Sequence, residues 1–246
     1  MTAVEILSRA PFVELQRKFC ECDPLGRNSE GCKYTAELAY NFSMAYSITG
    51  DKDSNIIPLM EGICTAALSV VSLYPKILGE NFICTILKDD LIGSSSASLK
   101  LWQQDCPETR TVEEFLIREI DIHGLEELRS NRSSAVVKFL WMIRALNFIL
   151  KFLENAVTGN SDNLFSAATN AYTTALKPYH GFMKAGIVNL ALQLCPSRMK
   201  FMGALGFQDM DVALDICRRL IQVSKPCIEQ VNCLLIKYNC NFPDKV

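Results

Sequence analysis

Histidine is almost missing from this sequence. Of 246 residues only His123 and His180 carry an imidazole, which restricts histidine-based metal sites and leaves few candidates for a general base. Glycine (12) and proline (9) together stay below a tenth of the chain, so collagen-like and low-complexity classes are excluded. There is no excess of charge of one sign. The 25 basic and 27 acidic residues give a formal charge of −2, too balanced to expect a phosphate-neutralising surface or a nucleic-acid partner. Long hydrophobic runs are also missing. The longest strongly apolar stretch without a charge is residues 62–74, thirteen residues, where a spanning helix needs about 20. Residues 135–153 are richer still in apolar side chains, but Lys138, Arg144 and Lys151 interrupt them, which suits a buried helix with one polar edge. The first ten residues carry Glu5 and Arg9 and lack a signal-peptide apolar core. A soluble, cytoplasmic chain is the expectation.

Catalytic and ligand signatures are equally scarce. None of the nucleophile-elbow, Walker-type or dinucleotide glycine patterns occurs. Asp51, Asp53 and Asn55 resemble the start of a calcium loop, but Ile56 stands where a glycine must turn the chain and Gly62 where a bidentate Glu is needed. Eleven cysteines, an odd number, without a secretory signal are expected as free thiols. Cys64, Cys84, Cys217 and Cys233 sit in apolar patterns and read as small buried hydrophobes. Cys20, Cys22 and Cys32 fit no common zinc spacing. Glu119, Asp121, Glu126 and Glu127 read as a solvated helix face. No metal, no cofactor and no enzymatic activity are expected.

What remains is helix after helix. Apolar positions recur at helical spacing over 55–79, with Pro58 suited to the first turn, Pro75 to a kink and Gly79 to the stop. A second helix is expected over 82–104. A third over 110–123 opens on Thr111 with Glu114 three later, the spacing of a capping box. Residues 133–156 are apolar on two faces, leaving Arg144, Asn147, Lys151 and Glu154 as a narrow polar stripe. A helix of that kind needs cover from two sides and belongs in the middle of a domain. Further helices are expected over 162–178, 180–194, 197–205 and 209–239, divided by Pro178, Pro196 and Gly206. No alternating strand of useful length is visible. Residues 1–52 are less regular, with possible helices at 3–19 and 33–48 around a turn at Asp23–Gly26, and read as an N-terminal extension or an added helical pair. The fold class expected is all-α.

The segment Ala175-Leu176-Lys177-Pro178-Tyr179-His180-Gly181-Phe182, followed by Ala191-Leu192 and Cys195-Pro196, resembles the signature of the glycolipid transfer protein superfamily. Residues 141–149, Trp-Met-Ile-Arg-Ala-Leu-Asn-Phe-Ile, resemble the central-helix motif of its glycolipid-binding branch. Lys88-Asp89-Asp90-Leu91-Ile92-Gly93-Ser94 resembles the helix that carries the headgroup aspartate. The resemblance covers roughly residues 55–246 and is nearer the glycolipid-binding branch, as a divergent member. It implies a two-layer all-helical sandwich over 53–246 that opens an apolar cleft for lipid chains and does no bond chemistry.

The resemblance also assigns roles. A sphingolipid amide presents one N–H and one C=O, and leaving either buried and unpaired costs ~1–3 kcal/mol. The family answer places Asp90 on the N–H and His180 on the carbonyl. Trp141 matches the tryptophan on which the first sugar stacks, and Phe182 takes the place of an interfacial tryptophan that touches the membrane. Arg144 is common to both branches and structural. Ser94 and Ala97 stand where the glycolipid branch carries Asn and Lys, and the phosphate-carrying branch places Arg at the Trp141 position. The implied function is intermembrane transfer of sphingolipids by a transiently membrane-associated carrier, with a glycosylated headgroup favoured, a loose choice among simple headgroups, and phosphate disfavoured. A lipid sensor or helical interaction module, with residues 1–52 serving an unidentified protein partner, and a carrier of ceramide-1-phosphate are the alternatives.

Overall fold

The computed structural model describes residues 30–49, 55–71, 82–105, 108–159 and 162–245. Among these, ten α-helices and one short hairpin run in the order α1 (Glu30–Ser43), β1 (Tyr46–Thr49), β2 (Asn55–Pro58), α2 (Met60–Val71), α3 (Phe82–Asp105), α4 (Val112–His123), α5 (Leu125–Ser130), α6 (Ala135–Thr158), α7 (Phe165–Ala175), α8 (Phe182–Gln193), α9 (Arg198–Ala204) and α10 (Met210–Lys237). A 3-10 turn at Lys177–Tyr179 joins α7 to α8.

The central helix is α6. Apolar on two faces, it buries Phe139, Met142, Ile143, Leu146 and Ala156 among others and packs against α3, α7 and α10. Ring contacts hold its flanks: Phe115 of α4 meets Phe139 at 5.6 Å, and Phe201 of α9 meets Phe152 edge-on at 5.4 Å. The polar stripe does not face water throughout. Asn147 exchanges amide hydrogen bonds with Asn232 of α10 at 3.0 and 2.9 Å. Glu154 accepts from Lys225 of α10 at 2.8 Å. Through these two residues the stripe forms a polar seam between α6 and α10.

Local signals set most helix ends. Thr111 caps α4 by accepting from the Glu114 N–H at 3.1 Å, and the Glu114 carboxylate accepts from the backbone N–H groups of Thr111 and Arg110 at 2.9 Å each, which satisfies otherwise orphaned donors. Ser134 caps α6 and Asp209 caps α10 in the same way.

The structure corrects the sequence reading at several points. The helix expected over 55–79 begins only at Met60. Residues 55–58 form a strand whose Ile56 and Ile57 pair with Ile48 and Ser47, and Pro58 ends that strand opposite Tyr46 instead of opening a helix. β-branched side chains suit that pleat, and a proline without an N–H suits its end. The helix expected over 33–48 stops at Ser43 for the same reason. Glu119 is buried, its carboxylate 3.0 Å from Arg118, while Asp121, Glu126 and Glu127 are exposed as expected. Cys64 and Cys217 are buried and burial pushes their thiols up to about 12, but Cys233 is exposed. The helix at 3–19, the turn at Asp23–Gly26, Cys20, Cys22, Asp51, Asp53, Pro75 and Gly79 lie outside the described residues, as do the side chains of Cys32 and Cys84. Within the stretch expected as an N-terminal extension, α1 packs against α2 and α10 and contributes Ala36, Leu38, Ala39 and Phe42 to the common core.

Candidate lipid-binding site

Two features lie along α6. The first is a polar cluster around Trp141. Pro178 cannot continue α7 and sits in the 3-10 turn, and His180 follows in extended backbone before Gly181 opens α8. That break turns the His180 ring back onto α6. It stacks on Trp141 with centroids 5.6 Å apart and planes 19° from parallel. His180 is 9% exposed, and its Nδ1 lies 3.4 Å from the Tyr172 hydroxyl of α7, which sets the ring orientation. Burial raises the Tyr172 hydroxyl above its ordinary value, so it stays protonated and can donate.

Arg144 lies one turn along from Trp141 and is almost fully buried. Its guanidinium carbon is 5.0 Å from the Trp141 ring centroid and 3.5 Å from that of Tyr179. The guanidinium donates to the Phe242 carbonyl and, at 3.3 Å, to the Asn241 side chain. Desolvation pulls its pKa down to about 10, against the opposing pull of the Tyr179 hydroxyl and the Asp244 carboxylate, so it remains charged at neutral pH. Lys184, in the first turn of α8, brings its Nζ to 5.4 Å from the Trp141 ring.

The second feature is a narrow apolar cleft of about 20 Å³, room for roughly one water molecule. Leu146, Ile149, Leu150 and Leu153 of α6 face Leu38 and Phe42 of α1, Val70 of α2, and Leu220, Ser224 and Ile228 of α10 across it. Ser224 satisfies its hydroxyl on the Leu220 carbonyl at 2.9 Å, so the wall presents hydrocarbon. Leu146 is five residues beyond Trp141 on the same helix, roughly 7.5 Å along its axis. Polar cluster and apolar cleft are thus neighbouring stretches of one helix.

Of the residues singled out in the sequence, the structure brings Trp141 and His180 into contact. Asp90 belongs to the backbone of α3 and its side chain lies outside the described atoms. Ser94, one turn on, is half-buried, and so is Ala97. Phe182 is 96% exposed at the start of α8, beside Met183 at 81%. Sequence reasoning missed Lys184, although a lysine four residues after His180 in a first helical turn was there to be read. It also missed Tyr172 as the partner of His180, and the buried hydroxyls of Ser95 and Ser98 on α3, which make no hydrogen bond. No group of three or more His, Cys, Asp or Glu among the described residues could hold a metal ion, and no described helix is long and apolar enough to cross a membrane.

Comparisons with known proteins bear on this arrangement. Glycolipid transfer protein 3 of Arabidopsis thaliana is 26% identical over 232 residues, covering 91% of this chain and 97% of its own. The human pleckstrin homology domain-containing family A member 8 is 28% identical over 151 residues, 61% of this chain, and the match spans 28% of that protein's length. Among solved structures, FAPP2, studied for how it selects simple glycosphingolipids using the GLTP-fold, superposes with a TM-score of 0.67 at 22% identity, over 81% of this chain and 94% of that one. Mouse ceramide-1-phosphate transfer protein superposes with a TM-score of 0.72 at 15% identity, over 87% and 98%. These two likenesses establish the fold. The model of the glycolipid transfer protein family matches residues 59–207, a span that holds Trp141, Arg144, His180 and Lys184 and more than half of the sequence, and the chain belongs to that family.

Proposed function

We propose that this protein carries a sphingolipid between membranes, holding the lipid chains in the α1/α2/α6/α10 cleft and the amide and headgroup at the Trp141–His180 cluster. The observation that carries this reading is the Trp141–His180 stack standing on the same helix as the cleft. A lipid of two long chains and a polar head needs that order of surfaces. His180, oriented by Tyr172, donates to the amide carbonyl, and Asp90 on α3 accepts the amide N–H. The flat indole of Trp141 suits the C–H face of a first sugar, with Ser94 supplying one hydroxyl's worth of hydrogen bonding. A cleft of about 20 Å³ is far too narrow for two long chains, so loading parts α1 and α10 from α6. Phe182 inserts into the membrane surface while the lipid passes, and the protein works from the cytoplasm with transient membrane contact. Transport needs no bond to be made or broken, so no catalytic group is required.

The test is vesicle-to-vesicle transfer of a fluorescent galactosylceramide. Trp141→Ala is expected to lower the rate roughly tenfold or more with helical content unchanged by circular dichroism. Undiminished transfer by that variant, with only its thermal stability reduced, would make Trp141 a packing residue and remove the sugar platform.

A further inference from the structure

The two long helices that wall the apolar cleft are joined by hydrogen bonds at two points. Asn147 of α6 and Asn232 of α10 exchange amide bonds at 3.0 and 2.9 Å, and Lys225 of α10 donates to Glu154 of α6 at 2.8 Å. The two points are in register. Along α6 they stand seven residues apart, and along the antiparallel α10 seven residues apart in the opposite sense. Seven residues are two turns, roughly 10.5 Å of helix, so both pairs fall on the facing sides of the two helices. Ile149, Leu150 and Leu153 lie between the two points on α6, and Ile228 lies between them on α10. The pairs therefore bracket the middle of the cleft.

Apolar contacts and hydrogen bonds respond differently when lipid chains enter. A leucine that trades a leucine neighbour for an acyl chain keeps its apolar surroundings, because apolar burial is non-directional. An acyl chain offers Asn232 or Lys225 nothing in exchange for a lost acceptor. Three of the four partners hold a second contact on their own helix. Asn147 donates to the Ile143 carbonyl at 3.0 Å, Glu154 accepts from Lys151 at 3.3 Å, and Lys225 lies 3.9 Å from Glu229. Glu154 and Lys225 are 18% and 44% exposed, so water reaches both. Parting the helices thus breaks the cross-helix bonds without stranding a charge in the interior, the costly outcome for a buried ion pair. A joint with those properties holds and lets go.

Resting on the sphingolipid-carrier reading above, we propose that the Asn147–Asn232 and Glu154–Lys225 pairs form a two-point latch that holds the cleft closed and sets the rate at which lipid chains enter. The narrow cleft is the latched state. Chains that wedge between the two points part α10 from α6, and Glu154 then turns to Lys151 while Lys225 turns to Glu229. When the chains leave, the cross-helix bonds re-form. The latch governs the rates of loading and unloading and leaves the choice of headgroup to the Trp141 cluster, which lies outside the bracketed stretch.

The experiment is stopped-flow uptake of a galactosylceramide with a short fluorescent acyl chain, from dilute aqueous solution without vesicles, so that altered membrane binding cannot enter. Glu154→Lys, which repels Lys225, is expected to load about two- to tenfold faster, the factor that one hydrogen bond of ordinary net strength supplies. Glu154→Gln and Asn232→Ala should change the rate in the same direction. Adding Lys225→Glu to Glu154→Lys restores the pair in reverse and should return the rate to that of the unmodified chain. Phe115→Leu, which loosens the core where α4 meets α6, far along the helix from the cleft, should lower thermal stability and leave the loading rate unchanged. If Glu154→Lys does not fold by circular dichroism, Glu154→Gln and Asn232→Ala carry the test. Loading at the unmodified rate or slower in these variants overturns the latch, as does a charge swap that fails to restore the rate, or equal acceleration by Phe115→Leu. In each of those cases the unmodified chain still takes up the lipid and the carrier reading stands. If the unmodified chain takes up none, both fall together.

Discussion

The Arg144 guanidinium lies 3.5 Å from the centroid of the Tyr179 ring, and this pairing joins the central helix to the segment that turns His180 inward. Through the Phe242 carbonyl and the Asn241 side chain the same guanidinium also holds the C-terminal tail. One buried cation thus fixes α6, the α7–α8 junction and the tail relative to one another. Arg144→Lys keeps the charge but loses the planar stack and the forked donors. The expected loss is about 2–3 kcal/mol, measured by denaturant unfolding, together with weaker lipid binding because His180 is no longer held in place. Wild-type stability in this variant would show that the tail and the His180 turn dock without it.

Phe182 leaves 96% of its surface in water, so it contributes little to folding. Phe182→Ala is expected to leave thermal stability unchanged. Sinking one phenylalanine into an apolar phase is worth ~1.5–3 kcal/mol, so vesicle partitioning should weaken about tenfold, with transfer slowed and binding of a short-chain soluble lipid retained. Sedimentation with vesicles measures the first effect, and equal pelleting of the two proteins would exclude Phe182 from the membrane contact.

A methyl group at Gly62 has no room. Its Cβ would stand 2.1 Å from the Met44 carbonyl oxygen and 2.6 Å from the Ala45 Cα, both backbone atoms. In an unconstrained helix interior, replacing glycine by alanine gains roughly 1 kcal/mol. Here Gly62→Ala is expected to cost about 3 kcal/mol, since α2 must move off the α1–β1 junction. The sign of the change in a urea titration decides the matter.

Acid should loosen the joint between α4 and the end of α10. Hydrogen bonds from Lys237 at 2.7 Å and from the Tyr238 hydroxyl at 2.6 Å hold the Glu113 carboxyl below its ordinary 4.5. A carboxyl with a lower pKa in the folded state stabilises that state fully above about 4.5, and the contribution disappears as the pH falls through the depressed folded value. Glu113 is 42% exposed, so solvent screening keeps the effect to a fraction of a kcal/mol. Glu113→Gln should therefore be slightly less stable than the unmodified protein at pH 7, with the difference vanishing near pH 3. A difference that persists at pH 3 would assign it to packing.

Much of the helical framework is legible from neighbouring residues alone. The Thr111/Glu114 box, the two apolar faces over residues 135–158 and the break at Pro178 each act within about one helical turn, so their signals sit together in the sequence. Trp141 and His180 stand out through the family motif, and their rings stack in the folded chain. The Tyr46–Thr49 and Asn55–Pro58 strands do not stand out, because four residues carry too little periodicity and their pairing depends on where α1 and α2 pack.

Other assignments were made only when distant parts of the chain came together. The stripe from Arg144 to Glu154 looks like a solvent edge until α10 and the tail cover it, with Asn232 and Phe242 arriving from 85 and 98 residues away. Glu119 is buried by its surroundings, and Cys233 is left outside by the rotation of α10. Lys184 comes within 5.4 Å of the Trp141 ring, which no local rule places beside it. Caps, turns and amphipathic faces are properties of neighbours along the backbone. Burial, charge balance and the sharing of one indole by three helical segments are properties of packing, because they depend on which surfaces the folded chain removes from water.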